Sequence, residues 1–148
     1  MAPKGNQSTT LNSGDLRVVA SMSAQAPLIL VVDDQMGVRR LVQEVFREVG
    51  YRVATAVHGQ EAMALCSVEL PALVLLDMKM PVMDGLETLR TLRQLYPELP
   101  VIVMTAVGDG DRASEVLSSG ARSCISKPFD VFELRELVQK ALDEEEKP

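Results

Sequence analysis

Asp33, Asp34, Asp77, Thr105 and Lys127 share a position: each stands where a strand-like run ends. Asp33-Asp34 closes Leu28-Ile29-Leu30-Val31-Val32, Asp77 closes Leu73-Val74-Leu75-Leu76, Thr105 closes Val101-Ile102-Val103-Met104, and Lys127 follows Ser123–Ser126. Three carboxylates gathered within a few ångströms repel and raise one another's pKa unless a cation sits among them. Hard oxygen ligands with open, hydrated positions suit Mg²⁺, with Mn²⁺ or the more ligand-hungry Ca²⁺ as substitutes. A metal ion, a lysine ammonium and a threonine hydroxyl together neutralise phosphoryl oxygens from several directions. A central carboxylate can then be the nucleophile and form an aspartyl-phosphate. Taken singly, these residues read more plainly. Asp33 or Asp34 could cap the helix beginning near Met36, Lys127-Pro128 is an ordinary loop, and Asp84-Gly85 is a turn and helix start. Only their joint placement favours chemistry.

The elements that must position them follow from periodicity. Short, β-branched apolar runs mark strands buried on both faces, at 28–32, 73–76 and 101–104, with a second strand at 52–56 and a short fifth at 123–126. Between them, Val38, Leu41, Val42, Val45, Phe46 and Val49 recur at helical spacing and Gly50 stops the helix. Further helices are expected over 60–68 with Ala62, Leu65 and Cys66 inward, and after Gly85 with Leu86, Leu89, Leu92 and Tyr96 on one side. Another is expected over 109–119 with Val116 and Leu117 apolar. A last helix turns Leu134, Leu137, Val138, Ala141 and Leu142 inward and frays at Glu144-Glu145-Glu146. Five strand–helix alternations predict an α/β fold, a parallel five-stranded sheet with helices on both faces. In such a sheet the strand ends share one edge, and ligands bind in the crevice outside them.

Composition bounds the rest. The 148 residues carry 15 Lys and Arg against 21 Asp and Glu, a net charge of −6, with 47% hydrophobic residues. That suffices for one core, and makes direct binding to nucleic acid or an anionic membrane unexpected. No run is long enough to span a bilayer, no signal peptide is evident, and Cys66 and Cys124 read as two reduced thiols of a cytoplasmic, monomeric protein. Residues 1–26 are polar apart from Leu16-Arg17-Val18-Val19-Ala20, and are expected to be a disordered arm or not native to the chain, with Met22 a possible start. A docking role around Val18 and Val19 is the alternative. The folded unit is placed at 27–145 and a tail at 146–148.

Asp33-Asp34, Asp77 within Leu-Leu-Asp-Met-Lys-Met-Pro-Val-Met-Asp-Gly, Thr105-Ala106 and Lys127-Pro128-Phe129 resemble the receiver domain of bacterial two-component response regulators. The resemblance runs from residue 28 to about 142, with intervals of 43, 28 and 22 residues from Asp34 to Asp77, Thr105 and Lys127. It implies the doubly wound, flavodoxin-like strand order 2-1-3-4-5. It also implies that Asp77 accepts a phosphoryl group from a histidine kinase. Asp34, Asp77 and the Lys79 backbone carbonyl would bind Mg²⁺, with Asp33 acting through water. Thr105, the Ala106 amide and Lys127 would hold phosphoryl oxygens, and a cis peptide would precede Pro128. Val-Asp-Asp-Gln-Met-Gly-Val-Arg at 32–39, Gly50-Tyr51 and Leu-Asp-Met-Lys at 76–79 narrow the resemblance to single-domain intermediaries of the sporulation phosphorelay. Their partners are a histidine kinase and a histidine phosphotransferase. Docking is then expected on Gln35, Val38, Leu41, Pro128 and Phe129, because a partner histidine must reach Asp77.

Three features qualify the resemblance. Cys124 stands where receivers that switch an output domain carry an aromatic ring, which suits a relay better than an allosteric activator, unless it is merely a small strand hydrophobe. Lys79 and Val107 are expected to overhang the pocket and tune water access. The few residues after Leu142 leave no room for a DNA-binding module, so the expected output is another protein. His58 reads as a solvated loop residue rather than a phosphohistidine, and Met78 and Met80 as core filler or adaptable contacts at the pocket rim. Two rivals remain: a receiver detached from a DNA-binding transcriptional regulator, and a Mg²⁺-dependent phosphohydrolase. Phosphohydrolases of the haloacid-dehalogenase type want an acid where Lys79 stands.

Overall fold

The computed structural model describes residues 26–80, 82–106 and 112–146. The expected N-terminal arm up to residue 25, Pro81, Val107 and the start of the helix at Asp109 lie outside these residues. Five strands, β1 (Leu28–Val32), β2 (Arg52–Ala56), β3 (Leu73–Asp77), β4 (Val101–Thr105) and β5 (Ser123–Ser126), alternate with five helices. The helices are α1 (Met36–Glu48), α2 (Gly59–Val68), α3 (Gly85–Leu95), α4 (Arg112–Ser118) and α5 (Val131–Glu146). All strand pairs are parallel, in the order β2-β1-β3-β4-β5.

Alternate residues of each strand serve opposite faces. Leu30, Val32, Val74, Leu76 and Val103 pack with Ala62 and Cys66 of α2, Leu86, Leu89 and Leu92 of α3, and Val116 of α4. Ile29, Val31, Leu73, Leu75, Ile102 and Met104 pack with Val42 and Phe46 of α1 and with Leu134, Val138 and Ala141 of α5. This two-sided burial is why the strands read as continuous apolar runs rather than alternating ones.

The register sets the polar ends level. Val32 pairs with Leu76, Asp77 with Met104, and Thr105 with Ser126. The ladder extends one step past the strands through Asp33 N–H to the Ala56 carbonyl (3.1 Å) and Met78 N–H to the Met104 carbonyl (3.0 Å). The strand order reverses between β1 and β3, so their carboxyl ends flank the opening where such sheets bind ligands.

Three helices depart from the sequence pattern. In α1 only Val42 and Phe46 are fully buried, while Leu41 and Val49 are exposed, because six apolar positions spread over more of the helix than the sheet covers. In α4, Val116 is buried and the adjacent Leu117 exposed, as neighbours about 100° apart must be on a helix lying on one face. Helix α5 continues through Glu146 instead of fraying at Glu144. Met78 and Met80 are buried in the core and do not form a pocket rim.

Candidate functional site

Where β1 and β3 end, the chain turns tightly. The buried carboxylate of Asp33 accepts the Gln35 N–H on Oδ1 at 2.8 Å, and its main-chain carbonyl accepts Arg39 Nη1 at 2.8 Å. Neither Asp33 nor Asp34 caps α1; Gln35 occupies the cap position with no side-chain cap bond. These two bonds hold the β1–α1 turn so that Asp33 lies beneath the site and Asp34 at its exposed edge. Neither bond was evident from composition, although a basic residue on the half-buried side of α1 is a signal for the second.

Asp77, at the end of β3, is 7% exposed. Lys127 Nζ lies 2.6 Å from Asp33 Oδ2 and 3.2 Å from Asp77 Oδ1, with Gln35 Oε1 at 3.5 Å. The Lys127–Pro128 peptide is cis, as the resemblance implies. One oxygen from each of Asp33, Asp34 and Asp77 can be chosen so that all lie within 4.8 Å of one another. Burial, then the charge of Asp33, push the Asp77 carboxyl up to about 6 against the pull of Lys127, with Asp34 adding to the rise. Burial opposes the charge of Lys127, but its bond to Asp33 and the charges of Asp77 and Asp33 outweigh it and hold the ammonium above the usual lysine range. Three carboxylates face one ammonium here, which leaves an excess of negative charge. That excess, together with a donor set made of hard oxygens, fits a divalent cation of the Mg²⁺ type.

An open cleft of about 750 Å³ stands over this cluster, walled by Asp34, Gln35, Val38, Leu41, Asp77, Lys79, Ala106, Lys127, Pro128 and Phe129. It gathers Asp34, Asp77, Lys79, Ala106 and Lys127 of the residues expected for chemistry and all five expected for docking. Two site residues are not on its wall. Asp33 lies below, reached through Lys127. Thr105 is buried, and its hydroxyl donates a long bond of 3.5 Å to the Ile125 carbonyl on β5.

The β3–α3 loop depends on Gly85, which the sequence marks only as a turn and helix start. A Cβ on Gly85 would strike the Asp77 carbonyl and lie 2.6 Å from Met78 Cα, and the Gly85 N–H bonds the Met78 carbonyl at 2.9 Å. The neighbouring Asp84 caps α3 through the Glu87 N–H at 2.9 Å. Gly85→Ala is therefore expected to push the Asp77–Lys79 segment outward and weaken Mg²⁺ affinity by about tenfold or more, comparable to the loss of a supporting contact at a metal site. Titration of Mg²⁺ by calorimetry checks this, and wild-type affinity in a folded variant would count against it.

His58 lies in the β2–α2 loop, as expected, but it is half-buried and has a structural task. It caps α2, its Nδ1 accepting the Glu61 N–H at 3.1 Å while Glu61 Oε1 accepts the Val57 N–H at 2.7 Å. Cys124 is half-buried on β5 against the α2–α3 side of the core, and burial pushes its thiol up, as it does for Cys66.

The model of the response regulator receiver domain matches residues 29–139. This chain belongs to that family. Its receiver is 45% identical over 114 residues to sporulation initiation phosphotransferase F of Bacillus subtilis, a match covering 77% of this chain and 92% of that protein. Regulatory protein AtoC of Escherichia coli is 40% identical over 114 residues, but this receiver spans only 25% of its length. Among solved structures, the receiver domain of NtrX from Brucella abortus superposes with a TM-score of 0.76 at 33% identity, covering 78% of this chain and 98% of that one. The acidic cluster, the lysine and the cleft thus belong to a receiver of two-component response regulators.

Proposed function

We propose that this receiver accepts a phosphoryl group on Asp77 from the phosphohistidine of a histidine kinase and passes it to a histidine phosphotransferase. It would act as the intermediary of a phosphorelay of the sporulation type, with residues 27–145 as the working unit in the cytoplasm. The observation that carries this reading is the placement of Asp77 on the wall of an open cleft, 3.2 Å from Lys127, with the apolar side chains of Val38, Leu41 and Phe129 around it. A partner histidine must come within bonding distance of Asp77, so the partner has to sit on that wall. Similarity to a sporulation phosphotransferase over 92% of that protein's length supports the relay. Among the described residues no helix is long and apolar enough to cross a membrane.

In the transfer, an Asp77 carboxylate oxygen forms the new O–P bond as the N–P bond of the donor imidazole breaks, and the leaving nitrogen takes a proton from solvent. Lys127, released from Asp33 by charge competition, follows the phosphoryl oxygens, and the Ala106 amide and the Thr105 hydroxyl complete their cradle once that hydroxyl turns from β5. Asp34, Asp77 and the Lys79 carbonyl would hold Mg²⁺, with Asp33 acting through water; when bound, the ion supplies charge neutralisation to the phosphoryl group. Onward transfer reverses these steps toward a second histidine.

A second reading, a receiver reporting to a DNA-binding domain, is favoured by relatives such as AtoC, of which this chain matches one quarter. The two readings part at the docking wall. Val38→Ala with Leu41→Ala is expected to slow phosphotransfer from and to histidine-bearing partners by about tenfold, as losing roughly 1–2 kcal/mol of interface contact does. Labelling by a small phosphodonor should be unchanged. Equal slowing of both, or of neither, would show that this wall is not the docking surface. A phosphohydrolase would want an acid at position 79, and Lys79 is there.

A further inference from the structure

The loop between β3 and α3 holds a backbone form that one of its own residues resists. Val82 has φ +71°, in the left-handed region that β-branched side chains avoid. Its side chain is 70% exposed, so it gains little packing in return. A residue strained in this way persists only where its surroundings over-determine it. The Gly85 N–H bond to the Met78 carbonyl closes the loop from within, at 2.9 Å.

The hold from outside comes from α2. Its first residue, Gly59, is buried, and a Cβ there would overlap Thr88 Oγ1 and lie 2.9 Å from both Cγ and Sδ of Met83. The helix thus approaches the loop as closely as a residue without a side chain allows. Thr88 is fully buried and tied down, its hydroxyl donating at 2.7 Å to the carbonyl of Asp84. Gly59 is fixed in turn. The His58–Glu61 capping pair holds the start of α2, and the Ala56 carbonyl just before it accepts the Asp33 N–H at 3.1 Å. A continuous path of backbone contacts therefore joins the end of β1 to Met83, and Gly59, Met83 and Thr88 are not on the cleft wall.

We propose that Gly59 is a positioning residue for the metal site. Seated against Met83 and Thr88, it holds the strained β3–α3 loop in the form that keeps Lys79 on the cleft wall with Asp77, a role that rests on the proposed function in taking the Lys79 carbonyl as a Mg²⁺ ligand.

The test compares the wild type, Gly59→Ala, Val82→Gly and the double variant as full chains. Two quantities are read: Mg²⁺ affinity by calorimetry, and amide exchange at Gly85 without metal. Alanine is the better helix former, so Gly59→Ala disturbs α2 itself little. It is expected to weaken Mg²⁺ binding by about tenfold, as loss of a supporting contact at a metal site does, and to speed Gly85 exchange. Val82→Gly alone should leave affinity within about twofold of wild type, because the loop is already held. The double variant should recover most of the loss. Glycine adopts the left-handed form freely, so the loop keeps its shape and the flexible Met83 side chain moves instead. Met83→Ala empties the same seat without touching α2, and should weaken Mg²⁺ binding and speed Gly85 exchange in the same direction.

Wild-type affinity and exchange in Gly59→Ala and Met83→Ala would overturn the proposal. So would a loss that Val82→Gly does not recover, since that is what general destabilisation gives. Faster Gly85 exchange with unchanged Mg²⁺ affinity would overturn it too, while leaving Asp77 as phosphoacceptor. A wild type that binds no Mg²⁺ would overturn the proposed function along with it.

Discussion

Lys127→Ala is expected to lower both the rate of phosphoryl transfer to Asp77 and the stability of the metal-free protein. The ammonium sits 2.6 Å from the fully buried Asp33 and 3.2 Å from Asp77. Removing one partner of a buried ion pair costs about 3–5 kcal/mol, because the remaining charge is left uncompensated. Here two carboxylates lose their shared cation. Asp77 can recover part of that cost by taking up a proton, so a loss of about 2–4 kcal/mol near pH 7.5 is expected in urea unfolding without metal. Millimolar Mg²⁺ should return most of it. Transfer should fall by about 10²–10³, the usual cost of removing one donor to developing negative charge. Lys127→Arg should keep stability better than rate, since a planar fork cannot replace a compact ammonium pointing at two oxygens. A Lys127→Ala protein within about 0.5 kcal/mol of wild type would mean that the cluster is neutralised elsewhere.

Asp77→Asn is expected to stabilise the metal-free protein above pH 6. Burial and the Asp33 charge raise the folded carboxyl to about 6, whereas the unfolded one titrates near about 3.9. Between those values the folded state binds more protons than the unfolded state, so stability falls as pH rises through the window and stays lower above it. The cost of the ionised Asp77 is therefore absent below about pH 4 and complete above about pH 6, at roughly 2–3 kcal/mol. Asparagine carries no such cost. Melting curves of the two proteins without metal should coincide near pH 4 and diverge to pH 8, the variant higher. Mg²⁺ should raise wild type and leave the variant nearly unmoved. Parallel curves across this range would show that burial and the Asp33 charge do not raise the Asp77 carboxyl.

The parts of this site that were legible in the sequence are those where one physical rule acts alone. A strand covered on both faces must be apolar until it emerges, so the first polar residue after each run marks an exit. Parallel pairing then brings Asp33, Asp34, Asp77, Thr105 and Lys127 to one edge. The less legible parts depend on two elements at once. Gly85 looked like a turn residue because its constraint is the close passage of Asp77 and Met78, set by how α3 meets the end of β3. His58 looked like loop because its partner Glu61 forms a capping pair only once α2 begins at Gly59. The inward direction of Thr105 could not be read either, since its hydroxyl is taken by Ile125 on a neighbouring strand. Leu41 and Phe132 show the same limit from outside. Both are large and apolar, but which of α1, α5 and the sheet could cover them is a matter of packing, and both stay exposed.

Asp77 is expected to accept a phosphoryl group and keep it, and one measurement reaches this directly. The protein is incubated with a small phosphodonor and Mg²⁺, and covalent phosphate is counted per chain, with hydroxylamine lability and released phosphate followed in parallel. The expected result is one hydroxylamine-labile phosphate per chain, dependent on Mg²⁺ and absent in Asp77→Asn. Labelling that persists in Asp77→Asn, or many phosphates released per chain while little stays bound, would contradict it.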